Sequence, residues 1–309
     1  MKKIFYIDGG AGRVIAAIPA LLKFKRLNPD VEFSVLVAAW DYLYWGIPEL
    51  QDRTYGLDTK GVFDNVIRHA DQIITPEPYR NPAYFRQEIS LVQAFDREIN
   101  NTTEHSDLGT PIMALNNQEQ SIARNTILEV KNAQKRQKTV MFQPFGRGAK
   151  LDKDSVLDEE SRSLSSKDYL TLLKKLSQRY NMIFFGEPDF QLKADTFAAK
   201  FTCDLRQWAA LIAEVDYFIG CDSVGQHMAR AVGTPGTVIL GSTYAVNTTY
   251  PDYFNIIDKG TAKKYSPIRL TGLDVSLSNR LNESSMKFSD KELNDIFTAI
   301  VADIEKKVK

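Results

Sequence analysis

Histidine and cysteine are scarce in this 309-residue chain, with three histidines (His69, His105, His227) and two cysteines (Cys203, Cys221). A structural zinc site needs four ligands at close paired spacings, and no such set is present. Two lone cysteines do not make a disulfide framework either. They fit a reducing compartment, so a cytoplasmic protein is expected. An excess of charge is also lacking, because 39 Lys and Arg balance 39 Asp and Glu. That excludes attachment to nucleic acid mainly by bulk charge and leaves only a local basic groove as an option. No window approaches ~18 uninterrupted apolar residues, so no membrane-crossing helix is expected, while a peripheral membrane contact stays open. The opening MKKIFYIDGGAGRVIAAIPALL has the lysines and the apolar character of an export signal, but Asp8 and Arg13 break its apolar run.

What is present is ordinary globular material: 43% hydrophobic residues, enough for a sizeable core, in a length that suggests about two domains. The segment KIFYID reads as a short buried strand ended by GGAG. Val14, Ile15, Ile18, Leu21 and Leu22 then follow at helical spacing, with Pro19 inside the run. VEFSVLVA reads as a second strand, and NVIRHADQII as a helix end followed by a strand. From Pro76 to Asn117 the chain is polar, with helix-like pieces and no clear strand. An exposed helix with a basic end, carrying Lys131, Lys135, Arg136 and Lys138, then leads into TVMFQPF. The basic run reads as a solvated helix end rather than a nucleic-acid site. The domain boundary falls within 115–138 and is placed after residue 130.

The second half repeats the alternation. SSKDYLTLLKKLSQRY is a helix opened by Ser165 and Asp168 at capping-box spacing, with Asp in place of the usual Glu or Gln. MIFFGEP, DYFIGCD and GTVILGS read as strands, and DLRQWAALIAEV as a helix. The final SDKELNDIFTAIVADIEKKVK has a capping box at Ser289 and Glu292 and one apolar stripe. Strands alternating with helices mean an α/β fold with parallel sheets flanked by helices.

The stretch FIGCDSVGQHMARAVGTP is the most informative. A strand delivers Asp222 and Ser223 to the carboxyl edge of a sheet, where ligands of such sheets bind. Either residue can cap a helix beginning near Gly225. The first amides of that helix lack internal partners, so a phosphate placed there gains hydrogen bonds and a favourable dipole. Gly225 would admit a ligand close to the backbone, and Gly233 with Pro235 would stop the helix. The same residues also satisfy the plain needs of any strand–helix–strand unit, and a lone His227 is more readily a packing or capping residue than a catalyst.

This stretch, extended to WAALIAEVDYFIGCDSVGQHMARAVGTPGTVILGST, resembles the donor-binding segment of glycosyltransferase family 9, the lipopolysaccharide heptosyltransferases. That family reads as a helix, then Asp-Ser/Thr-Gly-x-x-His, then Ala-Ala-x-Gly-Thr-Pro, a strand and Gly-x-Thr. TVMFQPFGRGAK, SLSSKDYLTLLKKLSQRYNMIFFGEPD and GGAGRVIAAIPAL resemble further family segments more weakly, and residues 50–115 are nearly unmatched. The resemblance implies two facing Rossmann-like domains, the GT-B arrangement. Residues 1–130 would take the acceptor and residues 131–285 a nucleotide-sugar. The final helix, 286–309, would return towards the first domain. It also implies an enzyme that moves a sugar from a nucleotide-diphosphate sugar to an acceptor hydroxyl, with inversion, on a cell-surface glycan or glycolipid. No cofactor is implied beyond the donor.

Such chemistry needs positive charge for the leaving diphosphate, a base for the acceptor hydroxyl, and positioning of the sugar. Candidate donor-binding residues are Asp222, Ser223, Val224, Gly225, Gln226 and His227, with Arg147, Lys150 and Arg162 where the family keeps its cations. Arg147 is equally readable as a solvated loop residue, and Lys150 and Arg162 more readily so. A helix start with one cation can replace a metal, so none is expected. The DKD at Asp152–Asp154 has the pattern of a metal-binding sugar-transferase motif but sits in an acidic, helix-poor stretch.

Where the family carries a basic Asp after the loop glycine, this chain has Arg13, following Gly10 and Gly12. Asp8 is then the candidate base, with Asp41, Glu49, His105 and Asp107 as unranked alternatives. Arg13 could instead hold an anionic acceptor, such as a phosphate-bearing sugar or nucleic acid. Trp40 opens the aromatic WDYLYWG, which can stack on a sugar or base, or pack in the core. Two other readings stand beside the first: a transferase of the same fold acting on hydroxymethylated bases of phage DNA, and a nucleotide-sugar-binding protein without catalysis. Sequence is silent on oligomeric state.

Overall fold

The structure, a computed structural model, describes residues 1–153, 155–158, 160–186, 197–260, 264 and 284–308. The chain divides into two compact units, the first spanning Met1–Asn116 and the second beginning at Asn117.

The first unit runs β1 (Lys2–Ile7), α1 (Ala11–Leu27), β2 (Glu32–Val37), β3 (Thr54–Gly56), α2 (Val62–Asn65), β4 (Gln72–Ile74), α3 (Pro82–Phe85) and α4 (Leu91–Asn100). Its strands form a parallel sheet in the order β3-β2-β1-β4. Chain order reverses between β1 and β4, which makes the space at their carboxyl ends a topological switch point. α1 keeps Pro19 inside it and is buried on almost every side, because it packs against α4 as well as under the sheet. Phe5, Phe24 and Phe33 meet edge to face in the core at 4.8–5.9 Å between ring centres. β3 is too short and too polar for its pattern to be read from the sequence.

A second polar cluster closes this unit. The Lys23 ammonium is 3.0 Å from Asp96 and 2.6 Å from Asp107, and it donates to the Glu104 carbonyl at 2.8 Å. His105 Nδ1 lies 2.7 Å from the same Asp96 carboxylate, which is fully buried. These contacts pin the 101–108 segment to α1 and α4. His105 and Asp107, two of the alternative bases, are therefore structural. Hydrogen bonds from Lys23 and Arg26 hold the Asp107 carboxyl below its usual range, the wrong direction for a base.

The second unit runs α5 (Asn117–Gln134), β5 (Thr139–Gln143), β6 (Ala149–Asp152), β7 (Ser155–Asp158), α6 (Ser166–Ser177), β8 (Asn181–Phe184), β9 (Ala199–Lys200), α7 (Leu205–Glu214), β10 (Tyr217–Gly220), α8 (Val224–Val232), β11 (Gly236–Leu240), α9 (Ala245–Thr248), β12 (Asn255–Asp258) and α10 (Asp290–Lys307). The whole of α5 belongs here rather than dividing at residue 130, because it packs on α7 and Glu119 pairs with the nearly buried Arg206. Six parallel strands lie in the order β12-β11-β10-β5-β8-β9. Counted from β5, this is the doubly wound 3-2-1-4-5-6 order, with its switch point between β5 and β10. β5, β8, β10 and β11 are buried along their whole length, as strands covered on both faces must be.

The sequence pattern showed no strand directly after β5. Instead GRGAK enters an antiparallel hairpin, β6–β7, with Ala149 opposite Asp158. α10 joins the core of this unit through Leu293, Ile296, Ile300 and Ile304 and packs on α6, β11 and β12. Its Ser289–Glu292 capping box is formed. Ser165 caps α6, but Asp168 does not complete a box. Its carboxylate accepts from the Phe288 amide at 3.0 Å and ties α6 to the chain entering α10.

Candidate active site

At the carboxyl end of β5 stands Gln143, a polar residue ending a buried apolar strand. Its Nε2 donates to Ser223 Oγ at 3.2 Å, and its Oε1 accepts from the Gly225 amide at 3.0 Å. The sequence offered Asp222 or Ser223 as the cap of α8. Ser223 does occupy the N-cap position, but its side chain bonds no helix amide. Gln143 caps the helix from the neighbouring strand instead, across the switch point. The sole sequence signal for it was an amide side chain closing TVMFQ.

Gly225 is also explained differently from the expectation. A Cβ there would lie 2.2 Å from Gln143 Oε1, 2.7 Å from Phe218 Cζ and 2.9 Å from Phe185 Cε1. The glycine lets α8 sit down on the sheet; it does not open the backbone to a ligand. Ser223 and Val224 remain half-buried at the tip of the helix. At the other end Gly233 adopts φ 83°, the left-handed cap that was expected before Pro235.

Asp222 is buried and points back into the protein. Gln226 donates to it at 3.3 Å and to the Thr248 carbonyl at 2.9 Å. Burial pushes the Asp222 carboxyl above its usual range, and Arg162, with one guanidinium nitrogen 3.6 Å away, opposes that shift. Asp222 thus positions α8 and Arg162. Arg162 also pairs with Glu160. It is carried by a tight loop organised around Asp158, whose carboxylate accepts from the amides of Glu160, Arg162 and Ser163 and from the Ser163 hydroxyl, all at 2.6–3.0 Å. Ser163 Oγ in turn accepts from the Gly146 amide at 2.8 Å. Asp158 and Ser163 were not singled out from the sequence, because nothing local distinguishes an acid that organises a loop from a solvated one.

Of the three candidate cations, Arg162 is the one held against Asp222. Arg147 and Lys150 are exposed, on the lead-in and first strand of the β6–β7 hairpin. His227 is buried in α8, with Nδ1 2.7 Å from the Tyr250 hydroxyl and the two rings edge to face. Burial, helped by Arg162, lowers the imidazole pKa to about 4, so it is neutral near pH 7. This is a packing and hydrogen-bonding histidine.

In the first unit, Asp8 directly follows β1, Gly10 is the N-cap of α1, and Gly12 lies in its first turn. Arg13 is turned inward with its side chain 2% exposed, 3.0 Å from Asp8 and 2.9 Å from Glu77. It also donates to the Pro76 carbonyl at 2.8 Å and lies over the rings of Tyr79 and Phe95. The guanidinium fills the switch point between β1 and β4. The alternative in which it holds an anionic acceptor is corrected on that ground: its charge is already neutralised by two carboxylates. Asp8 remains one-third exposed.

Trp40 follows β2 and is not a core residue. It is half-buried, its φ is 74°, and its ring meets Tyr42, which in turn meets Trp45. Asp41 lies beside this group and Glu49 is exposed. Among the described residues no group of three or more His, Cys, Asp or Glu is placed to hold a metal. Of the Asp152–Asp154 motif, Asp154 lies outside the described residues, as do Glu187, Pro188 and Asp189 after β8. Among the described residues no helix is long and apolar enough to cross a membrane.

No family model matches the chain, and no curated protein matches its sequence. Solved structures do. The ADP-heptose LPS heptosyltransferase II of E. coli superposes with a TM-score of 0.66 over 99% of both chains, at 13% identity. The chain has the fold of these glycosyltransferases. A glycosyl transferase family 9 protein from Veillonella parvula gives 0.61 at 12% identity, over 84% of this chain and 86% of that one. The iron-containing dodecameric glycosyltransferase TibC of enterotoxigenic E. coli gives 0.60 at 10% identity, over 99% of this chain and 78% of that one. The two parallel-sheet units expected from the strand–helix alternation are thus those of a heptosyltransferase-like GT-B architecture.

Proposed function

We propose that this protein is a glycosyltransferase of the family 9 type, moving a sugar from a nucleotide-diphosphate sugar to an acceptor hydroxyl. The observation that carries the reading is the start of α8. It opens at the switch point of a doubly wound sheet, with Arg162 fixed beside it by Asp158 and Asp222. A helix N-terminus with one oriented guanidinium is suited to a diphosphate, and its worth grows as the glycosidic bond breaks and negative charge collects on the leaving group. No metal is needed in this scheme. Asp8 takes the proton of the acceptor hydroxyl, Arg13 positions Asp8, and direct displacement inverts the anomeric centre. The acceptor is a cell-surface glycan or glycolipid.

A second reading, a nucleotide-sugar-binding protein without turnover, is favoured by one contact, the 3.0 Å ion pair that occupies Asp8. Calorimetry against ADP, UDP, GDP and their sugar conjugates tests both. Binding of one nucleotide series, weakened at least about tenfold by Arg162→Ala, is expected. Donor hydrolysis or transfer then separates the enzyme from the binder. Failure of every nucleotide to bind would end both readings.

A further inference from the structure

The carboxyl edge of the first sheet divides into two parts. Over β1 and β4 the crevice is closed by Arg13. Over β2 and β3 it carries an aromatic corner. Tyr42 sits 6.2 Å from Trp40 and 6.1 Å from Trp45, with interplanar angles of 69° and 66°. The corner reaches solvent, since Trp45 is 54% exposed and Trp40 and Tyr42 are half-buried. Trp40 is held in the left-handed region, which a bulky residue occupies only when its surroundings impose it. The Ala38 amide, 2.9 Å from the Ile7 carbonyl, fixes this loop to β1, next to Asp8.

Two carboxylates border the corner. The point a Cβ on Gly56 would occupy is 2.7 Å from Asp58 Oδ1 and 3.2 Å from Asp41 Oδ1, so both acids converge at the end of β3. Ionised carboxylates only accept hydrogen bonds, so they suit ligand hydroxyls and oppose phosphates. Aromatic rings with polar edges suit a ligand that is apolar on one face and hydroxylated around its rim.

We propose that this corner, Trp40, Tyr42 and Trp45 with Asp41 and Asp58, is the acceptor subsite and that it takes an uncharged saccharide. The C–H face of a sugar ring lies against the indoles, and its hydroxyls donate to the two aspartates. Anionic acceptors, including sugar phosphates and the DNA backbone, are disfavoured, because the two carboxylates repel them and Arg13 is already paired inside the protein. Calling it an acceptor subsite rests on the glycosyl-transfer reading; the binding itself does not.

The test uses the intact protein, tryptophan fluorescence and calorimetry. Probes are maltose, lactose and N-acetylglucosamine, with glucose 6-phosphate and a short duplex DNA as the charged comparators. At least one neutral sugar is expected to perturb the fluorescence, and Trp45→Ala and Asp58→Asn each to weaken its binding at least about tenfold. Both substitutions lie on the surface and should leave the melting temperature unchanged. Tighter binding of glucose 6-phosphate or duplex than of any neutral sugar would overturn the proposal, and so would the absence of sugar binding or indifference to both substitutions. Nucleoside diphosphate titrations on the same samples report the other reading separately. Sugar binding without nucleotide binding would leave the corner standing and remove the transferase.

Discussion

Arg13 and Arg162 are the same residue type with different assignments, and the difference is burial. Arg13 is enclosed between Asp8 and Glu77, and truncating it would leave two carboxylates facing one another. Arg162 keeps a quarter of its side chain in solvent and is steered by backbone-anchored acids. If Asp8 is the base, Asp8→Asn should slow turnover by about 100-fold or more while nucleotide affinity stays within about twofold. Single-turnover assays with parallel calorimetry would check this, and full activity would remove Asp8 from the mechanism. His227 yields a prediction on stability. Its imidazole takes up a proton near 6.5 when unfolded but only near about 4 when folded. The unfolded state therefore holds more protons between those values, and the stabilisation, complete above the upper value, is lost as pH falls towards the lower. His227→Gln keeps a partner for Tyr250 without the titration. Between about pH 7 and pH 5 the natural protein should lose roughly 2 kcal/mol more than the variant, or about 5 °C in melting temperature.

The role proposed for α8 depends on the element as a whole, through its cap and its seat. Gln143 supplies the cap from β5, so Gln143→Ala should cost about 1–2 kcal/mol and also weaken nucleotide binding, because the first turn loses its anchor. Gly225→Ala probes the seat. Its methyl must displace Gln143 and the rings of Phe218 and Phe185, with an expected cost of about 1–3 kcal/mol. Chemical denaturation measures both effects. An unchanged midpoint for Gly225→Ala would show that the helix does not rest on the sheet as described. The capping boxes of α4, α7 and α10 are ordinary by comparison, being complete within four residues of chain.

For the molecule as a whole, the sites proposed for the two units can be read out separately. A nucleoside diphosphate at about 100 times its Kd should stabilise the protein by roughly 2.7 kcal/mol. Hydrogen exchange should slow at residues 143–163 and 222–250, around Gln143, Arg162 and the start of α8, and stay unchanged across 1–116. Protection confined to the first unit would reverse the assignment of donor and acceptor sites. The balanced net charge fits an acceptor recognised by shape and hydroxyls rather than by bulk attraction.

Sequence alone determined the elements whose information is local. Buried strands wrote themselves as apolar runs in KIFYI, TVMFQ, YFIG and GTVIL, and helices as stripes with caps. The Gly233-Thr-Pro stop was legible because a left-handed residue followed by proline leaves the chain few alternatives. Short edge strands such as β3, β9 and β12 escaped, since their pairing depends on a neighbour far away in sequence rather than on their own pattern. The same reason hid Gln143, Asp158 and the hairpin beside them. Arg13 and Asp168 were visible as residues but not as contacts with Glu77 and Phe288, which lie 64 and 120 positions away. Only the tertiary structure decided which charges are consumed inside the protein and which stay exposed, because burial and pairing are properties of the packed chain.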